Sequence, residues 1–405
     1  MKKKLLGLLL AVSMIASLAA CSGSTADTTT DTNADSASTE ETSSASSGDV
    51  LKIGVAAGIT GNAPLEGERM QQAVELALEQ YNETDGSITI ELDVQDTQGT
   101  TAGALNAVQR CISDGCQVIL GPHGSTLVLS VGETVDEAQV PFISGGTSPN
   151  LIGQFEYLYT CRTNDTYAAQ IGAQACVETL GATNVGIFYC SDDYGSGGTT
   201  VASAYFEEQG IPYSAEAYNT GDTDVSGQIL SLMNSGADCL FVWANGVDLA
   251  MISRTMNQLG CELPIVSSSS VAVQQYIDLC EPEWLEGWYG VGEYVESSDR
   301  EAVQQYAADF LEYTGETGEL FGSTYYGAFQ AVIEAVELGG GIDSESIKNG
   351  LSQIQGLEVV LGTYNCDENN NLMHECSLIQ MELTTADDGS TTVAPVVIEQ
   401  LSVDY

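Results

Sequence analysis

From Leu51 onward the chain alternates short apolar runs with stretches whose apolar residues recur at three- and four-residue steps, in two successive rounds. Leu51 to Ala56 reads as a buried strand, and Met70, Ala73, Val74, Ala77, Leu78 and Tyr81 then line one face of a helix. Asp85-Gly86 marks a turn, after which Ile88, Ile90, Leu92 and Val94 alternate as a strand. Helical stretches at 100–113 and 125–138 lead to strands at 117–120 and 140–144. The second round places strands at 184–189, 239–243 and 264–266 among helices at 167–180, 197–209, 225–235 and 247–259. Two longer helical segments follow, 301–313 and 324–338, before hairpin-like strands at 377–383 and 392–398. Strands alternating with helices of this length predict doubly wound parallel sheets covered on both faces. About 355 residues lie beyond the first fifty, which favours two such lobes over one.

In open α/β sheets, ligands sit beyond the carboxyl ends of the strands, where loops run into helix N-termini. Here those loops, Gly58 to Gly67, Gly121 to Ser125, Ser144 to Ser148 and Ser191 to Gly198, are rich in Gly, Ser and Thr. Each offers N–H groups and hydroxyls where the helix dipole favours an anion. Any one of them reads equally well as an ordinary turn or N-cap. Their recurrence after successive strands predicts a binding cleft.

The first residues add a location. Lys2, Lys3 and Lys4 precede an apolar run too short to span a bilayer, and Leu18-Ala19-Ala20-Cys21 resembles the lipobox of bacterial lipoproteins. It implies a signal peptide over 1–20 and a lipid on Cys21, anchoring the protein outside the cell membrane. Residues 22–49 hold no large hydrophobic side chain and read as a tether. With 57 acidic against 10 basic residues, the surface repels nucleic acid and anionic lipid, so anchoring falls to the lipid. Of eleven cysteines, ten remain besides Cys21, and an exported chain of that count predicts disulfides, first between Cys111 and Cys116 and between Cys366 and Cys376. No Cys-x-x-Cys occurs, and His123 and His374 are the only histidines, so no metal or cofactor is expected.

Ile53-Gly54-Val55 with Thr60-Gly61, Gly121-Pro122 with Ser125, Ile143-Ser144 with Thr147-Ser148-Pro149, Asp192-Asp193-Tyr194-Gly195, Gly221-Asp222-Thr223-Asp224 and Tyr326-Gly327-Ala328 occur in that order. In this the chain resembles the branched-chain amino acid binding family of ABC transporter substrate-binding lipoproteins, over nearly all of residues 51–405. The resemblance implies the type I periplasmic-binding fold with a three-crossover hinge. Lobe one would comprise 51–165 and 294–358, and lobe two 166–293 and 359–405. It also implies that Ser125 and Thr147 bind a ligand carboxylate, and that Tyr194 closes over the ligand from the second lobe. Carbonyls near Gly145 and Gly146 can accept from an ammonium. Two departures stand out: the first-loop aromatic of many relatives falls on Glu66, and the acidic residue that meets the ligand's amine falls in Ser267 to Ser270, with Ser269 inside it. Glu66 is then the counter-charge for an amine, or the ligand is not an α-amino acid. Trp243, ending a predicted strand just before Asn245-Gly246, is a further candidate for the cleft wall.

The expected function is capture of an amino acid or related carboxylate or amide for an ABC permease. The alternative is a ligand sensor of the same fold. His123-Gly124-Ser125 lacks the orienting third group of a nucleophilic site, so no enzyme is expected. Asp367 to Asn371 opens like a calcium loop but lacks its Gly and its twelfth-position Glu, and reads as a polar turn.

Overall fold

The computed structural model of the chain describes residues 50–84, 86–385 and 389–401. The leader, Cys21, the tether and Asp85 of the expected turn lie outside them.

The first sheet contains β1 (Val50–Ala57), β2 (Thr89–Asp96), β3 (Val118–Leu120), β4 (Phe142–Ser144) and β5 (Leu158–Thr160). All are parallel, in the order β2-β1-β3-β4-β5. From Ile53 to Ala57 every residue of β1 is buried, as a central parallel strand covered on both faces requires. Helices α1 (Pro64–Thr84), α2 (Thr101–Ser113) and α3 (Ser125–Ala138) make the crossovers. Thr100 starts α2 by accepting from the Gly103 N–H at 3.0 Å, and Ala104, Ala107, Val108 and Cys111 form its buried stripe. A Cβ on Gly54 of β1 would stand 2.8 Å from the Cys111 sulfur, so glycine lets α2 lie close to the strand.

A second parallel set follows: β6 (Val185–Cys190), β7 (Tyr213–Tyr218), β8 (Cys239–Trp243), β9 (Ile265–Ser267) and β10 (Tyr289–Gly292). Its helices are α4 (Asp165–Gln174), α5 (Asp193–Gln209), α6 (Ser226–Asn234), α7 (Leu249–Leu259) and the short α8 (Gln274–Ile277) and α9 (Pro282–Leu285). The chain then returns to the first sheet with α10 (Glu301–Thr314), α11 (Leu320–Gly339) and α12 (Ser344–Leu351). There Gln80 of α1 donates to Asp309 and accepts from Tyr326, and Ser344 donates to the Gln117 carbonyl.

A small sheet of β11 (Gln355–Glu358), β12 (Thr363–Cys366) and β13 (Leu372–Met373) lies beside β5: the Thr160 N–H donates to Asn370, and the Tyr364 hydroxyl to Cys161. Antiparallel β14 (Cys376–Thr385) and β15 (Thr391–Leu401) complete the second sheet, in the order β15-β14-β10-β9-β8-β6-β7. The chain thus passes between the two sheets three times: after β5, after β10 and at His374-Glu375. The last passage comes well after residue 358, where the sequence reading placed it.

The expected disulfides are corrected. All ten described cysteines are free thiols, including Cys111, Cys116, Cys366 and Cys376. Cys366 and Cys376 flank β13 but settle in different hydrophobic clusters, one on each side of the last passage. The residues 367–371 do form a turn closed on itself: the Asp367 carboxylate accepts from the N–H groups of Asn369 and Asn371, each at 2.8 Å, and from the Asn371 amide.

Candidate functional site

In both sheets the strand order reverses once, between β1 and β3 and between β6 and β8, and loops diverging at such points leave a crevice. The two crevices face each other across one cavity of about 290 Å3. That is at the small end of small-molecule sites, which run to roughly 300–1,000 Å3. Eight of the nine ligand candidates line it: Glu66, Ser125, Gly145, Gly146 and Thr147 from the first-sheet side, Tyr194, Asn245 and Ser269 from the other. Trp243 does not. It is 1% exposed, stacks on Phe241 at 5.0 Å, and packs against Gly198, where a Cβ would stand 2.2 Å from the indole nitrogen.

The loop after β4 is turned inward. Ser125 accepts at its hydroxyl oxygen from the N–H groups of Thr147 (3.2 Å) and Ser148 (3.0 Å). The N–H of Gly146 goes to Ser144 and that of Gly145 to Tyr325. The Thr147 hydroxyl donates to Asp165 at 3.1 Å, as does the Trp243 indole at 3.4 Å. Burial raises the Asp165 carboxyl well above its usual value, against the pull of Arg162. These amides therefore brace the loop. What remains for an anion is the Ser125 O–H and the first-turn N–H groups of Ser125 and Thr126, which have no acceptor within the helix. Gly124, at φ 94°, starts α3 without a side-chain cap over them.

Arg162, which the sequence reading passed over, forms the floor. Its guanidinium pairs with Glu293, donates to Ser269 at 2.9 Å and reaches the Gly145 carbonyl at 3.5 Å. His374 Nε2 lies 3.5 Å from Glu293. Each member of this trio stands at one of the three passages between the sheets. Burial opposes ionisation of Glu293, but Arg162 and His374 prevail and bring its carboxyl down to about 2.

Besides the Arg162–Ser269 contact, the cavity is bridged in two further places. Tyr276 donates to Glu66, and the Thr126 hydroxyl donates to Asp193 at 2.8 Å. Burial lifts the Glu66 carboxyl to about 7, more than Tyr276 and Arg162 lower it. His123, also on the cavity wall, packs edge-on to Phe321 at 4.5 Å, and burial followed by Arg162 drives its imidazole down to about 3. It is neutral at physiological pH. The Ser125 hydroxyl oxygen is engaged by the Thr147 and Ser148 N–H groups, and among the described residues His123 Nδ1 has no hydrogen-bond partner.

Away from the cavity, Asp93, Cys111 and Cys116 bring donor atoms within 4.8 Å of one another. Contact with Cys116 and burial push the Cys111 thiol up, so a metal there would first have to displace protons.

The family model for periplasmic binding proteins matches residues 50–390. The chain belongs to that family. Membership makes it a solute-binding protein that works outside the cytoplasm, and not an enzyme. Among curated relatives, the Leu/Ile/Val-binding protein BraC3 of Rhizobium johnstonii is 20% identical over 333 residues, 80% of this chain and 89% of that one. A leucine-, isoleucine-, valine-, threonine- and alanine-binding protein of Pseudomonas aeruginosa is 19% identical over 55% of this chain and 61% of its own. The crystal structure of leucine binding protein LivK from Thermotoga maritima superposes with a TM-score of 0.77 at 22% identity, covering 86% of this chain and 98% of LivK. An ABC transporter solute binding protein from R. palustris, in complex with 4-hydroxybenzoate, gives 0.79 at 18%, covering 87% and 97%. These likenesses establish the two-sheet α/β fold of type I periplasmic binding proteins.

Proposed function

We propose that the chain is a lipoprotein, anchored through Cys21, that captures a small polar solute for an ABC permease by closing two lobes on it. The first lobe comprises residues 51–165 and 294–373, the second 166–293 and 374–401. The reading rests on one observation: a single small cavity lies at both sheet reversals and takes polar side chains from each side. A ligand carboxylate sits at the Ser125 hydroxyl and the α3 N-terminus, where the helix dipole favours it. Tyr194, Asn245 and Ser269 meet the ligand only when the lobes are together. A ligand shifts open and closed populations only through such differential contacts.

Tyr194 is the cleanest probe, because it tilts over Trp243 at 6.1 Å without carrying a buried charge. Tyr194→Ala is expected to weaken solute binding at least tenfold in calorimetry while the circular dichroism spectrum stays that of the parent. Wild-type affinity would remove Tyr194 from the site. Cys21→Ser is expected to release the protein from the membrane fraction, and retention there would refute the lipid anchor.

A further inference from the structure

The charges around the cavity are unevenly satisfied. Glu293 has Arg162. Asp192 accepts from the Gly195 N–H and from Asn245, each at 2.8 Å. Glu319 accepts from the N–H groups of Phe321 and Gly322, each at 2.8 Å, as the cap of α11. Asp165 has Thr147 and Trp243. Among the described residues, Glu66 alone lines the cavity with one hydroxyl, Tyr276, as its partner. The guanidinium beside the cavity is taken by Glu293, the imidazole of His123 is neutral, and Arg69 binds Gln72 at 2.8 Å and Glu316 at 3.1 Å. The opposite wall is uncharged where Asn245, Ser269 and Ser270 form it. A carboxylate with open lone pairs facing a small cavity is costly unless something positive meets it.

We propose that the solute carries a protonated amine and that Glu66 receives it beside Tyr276 and Phe321, so that the preferred substrate class is carboxylates that also bear an amine, the basic amino acids among them. The inference rests on the reading that this cavity binds a small solute. It departs from the 4-hydroxybenzoate bound by the R. palustris relative, which has no amine. The ligand nitrogen replaces a proton: without solute Glu66 shares its surroundings with Glu319, which burial and the Glu66 charge also lift to about 7. Arg162, and Arg69 on the next turn of α1, pull the other way without neutralising either. Binding then releases a proton at or below neutral pH, and affinity falls about tenfold for each pH unit below 7, the slope of one linked proton.

The test titrates the mature chain by calorimetry with L-lysine, L-ornithine, putrescine, L-leucine and 4-hydroxybenzoate, in two buffers of different ionisation enthalpy, from pH 5 to pH 8. The expected result is tightest binding of the amine-bearing carboxylates with buffer-dependent heat, and a loss of at least tenfold, together with the pH slope, in Glu66→Gln. That variant keeps size and hydrogen bonding and removes charge. Tight binding of L-leucine or 4-hydroxybenzoate that Glu66→Gln leaves unchanged would overturn the amine assignment while leaving the binding function standing. Binding of none of the five would remove the amine class, and only extension of the panel to other amides and carboxylates without any response would remove the binding function as well.

Discussion

Arg162→Met is expected to cost about 3–5 kcal/mol of folding stability, because it strands Glu293 as a buried carboxylate without its cation. The Glu293 side chain is 1% exposed and the Arg162 side chain 7%, so solvent cannot take over the lost partner. His374 stays within 3.5 Å but offers only one ring nitrogen. Because the trio stands at all three passages between the lobes, the loss also loosens the hinge. The sign of the pH dependence follows from the lowered carboxyl: the stability Glu293 contributes is present above its unfolded value of 4.5 and is lost as pH falls through about 2. In Arg162→Met that contribution disappears, and Glu293 takes up its proton at higher pH. Urea unfolding of the parent, Arg162→Met and the double variant Arg162→Met/Glu293→Gln measures this. The double variant is expected to recover a large part of the loss, since removing both charges leaves none unpaired. A single variant within 1 kcal/mol of the parent would contradict the account of the hinge.

Ser125→Ala is the second large effect. It orphans two buried N–H groups, those of Thr147 and Ser148, at about 1–3 kcal/mol each. It also removes the hydroxyl proposed to meet the ligand carboxylate. Stability and affinity should therefore fall together, whereas Tyr194→Ala should lower affinity alone. Unfolding and calorimetry on the same preparations separate the two, and an unchanged unfolding midpoint for Ser125→Ala would show that the loop after β4 is braced some other way.

The strands and helices that could be read from the sequence are those whose pattern is local. The run of α3 from Ser125 to Ala138 follows from Gly124 and the apolar stripe behind it, and β8 from five consecutive residues without a charge. Strand β5 has only three residues, and β10, Tyr-Gly-Val-Gly, looks like a turn until β9 and β14 are seen on either side. The cleft loops were legible because Gly and Ser cluster after strands. The inward turn of Gly145 and Gly146 was not, since their acceptors are Tyr325, 180 residues away, and Ser144 beneath them. Arg162 escaped notice for the same reason: its partner Glu293 is 131 residues distant. The burial of Trp243 was not legible because the slot that receives it is made by Gly198 of α5, distant in sequence from the end of β8.

The most direct measurement of the central claim, that this cavity holds a small polar solute between two lobes, is thermal unfolding of the mature chain across amino acids, diamines, amides and small carboxylates. A true ligand at a hundredfold excess over its dissociation constant stabilises by about 2.7 kcal/mol. The account predicts such a stabilisation for at least one member of the panel and its reduction by about half or more in Tyr194→Ala, as a tenfold or greater loss of affinity requires. A parent protein that no member stabilises, or one stabilised equally with and without Tyr194, would contradict it.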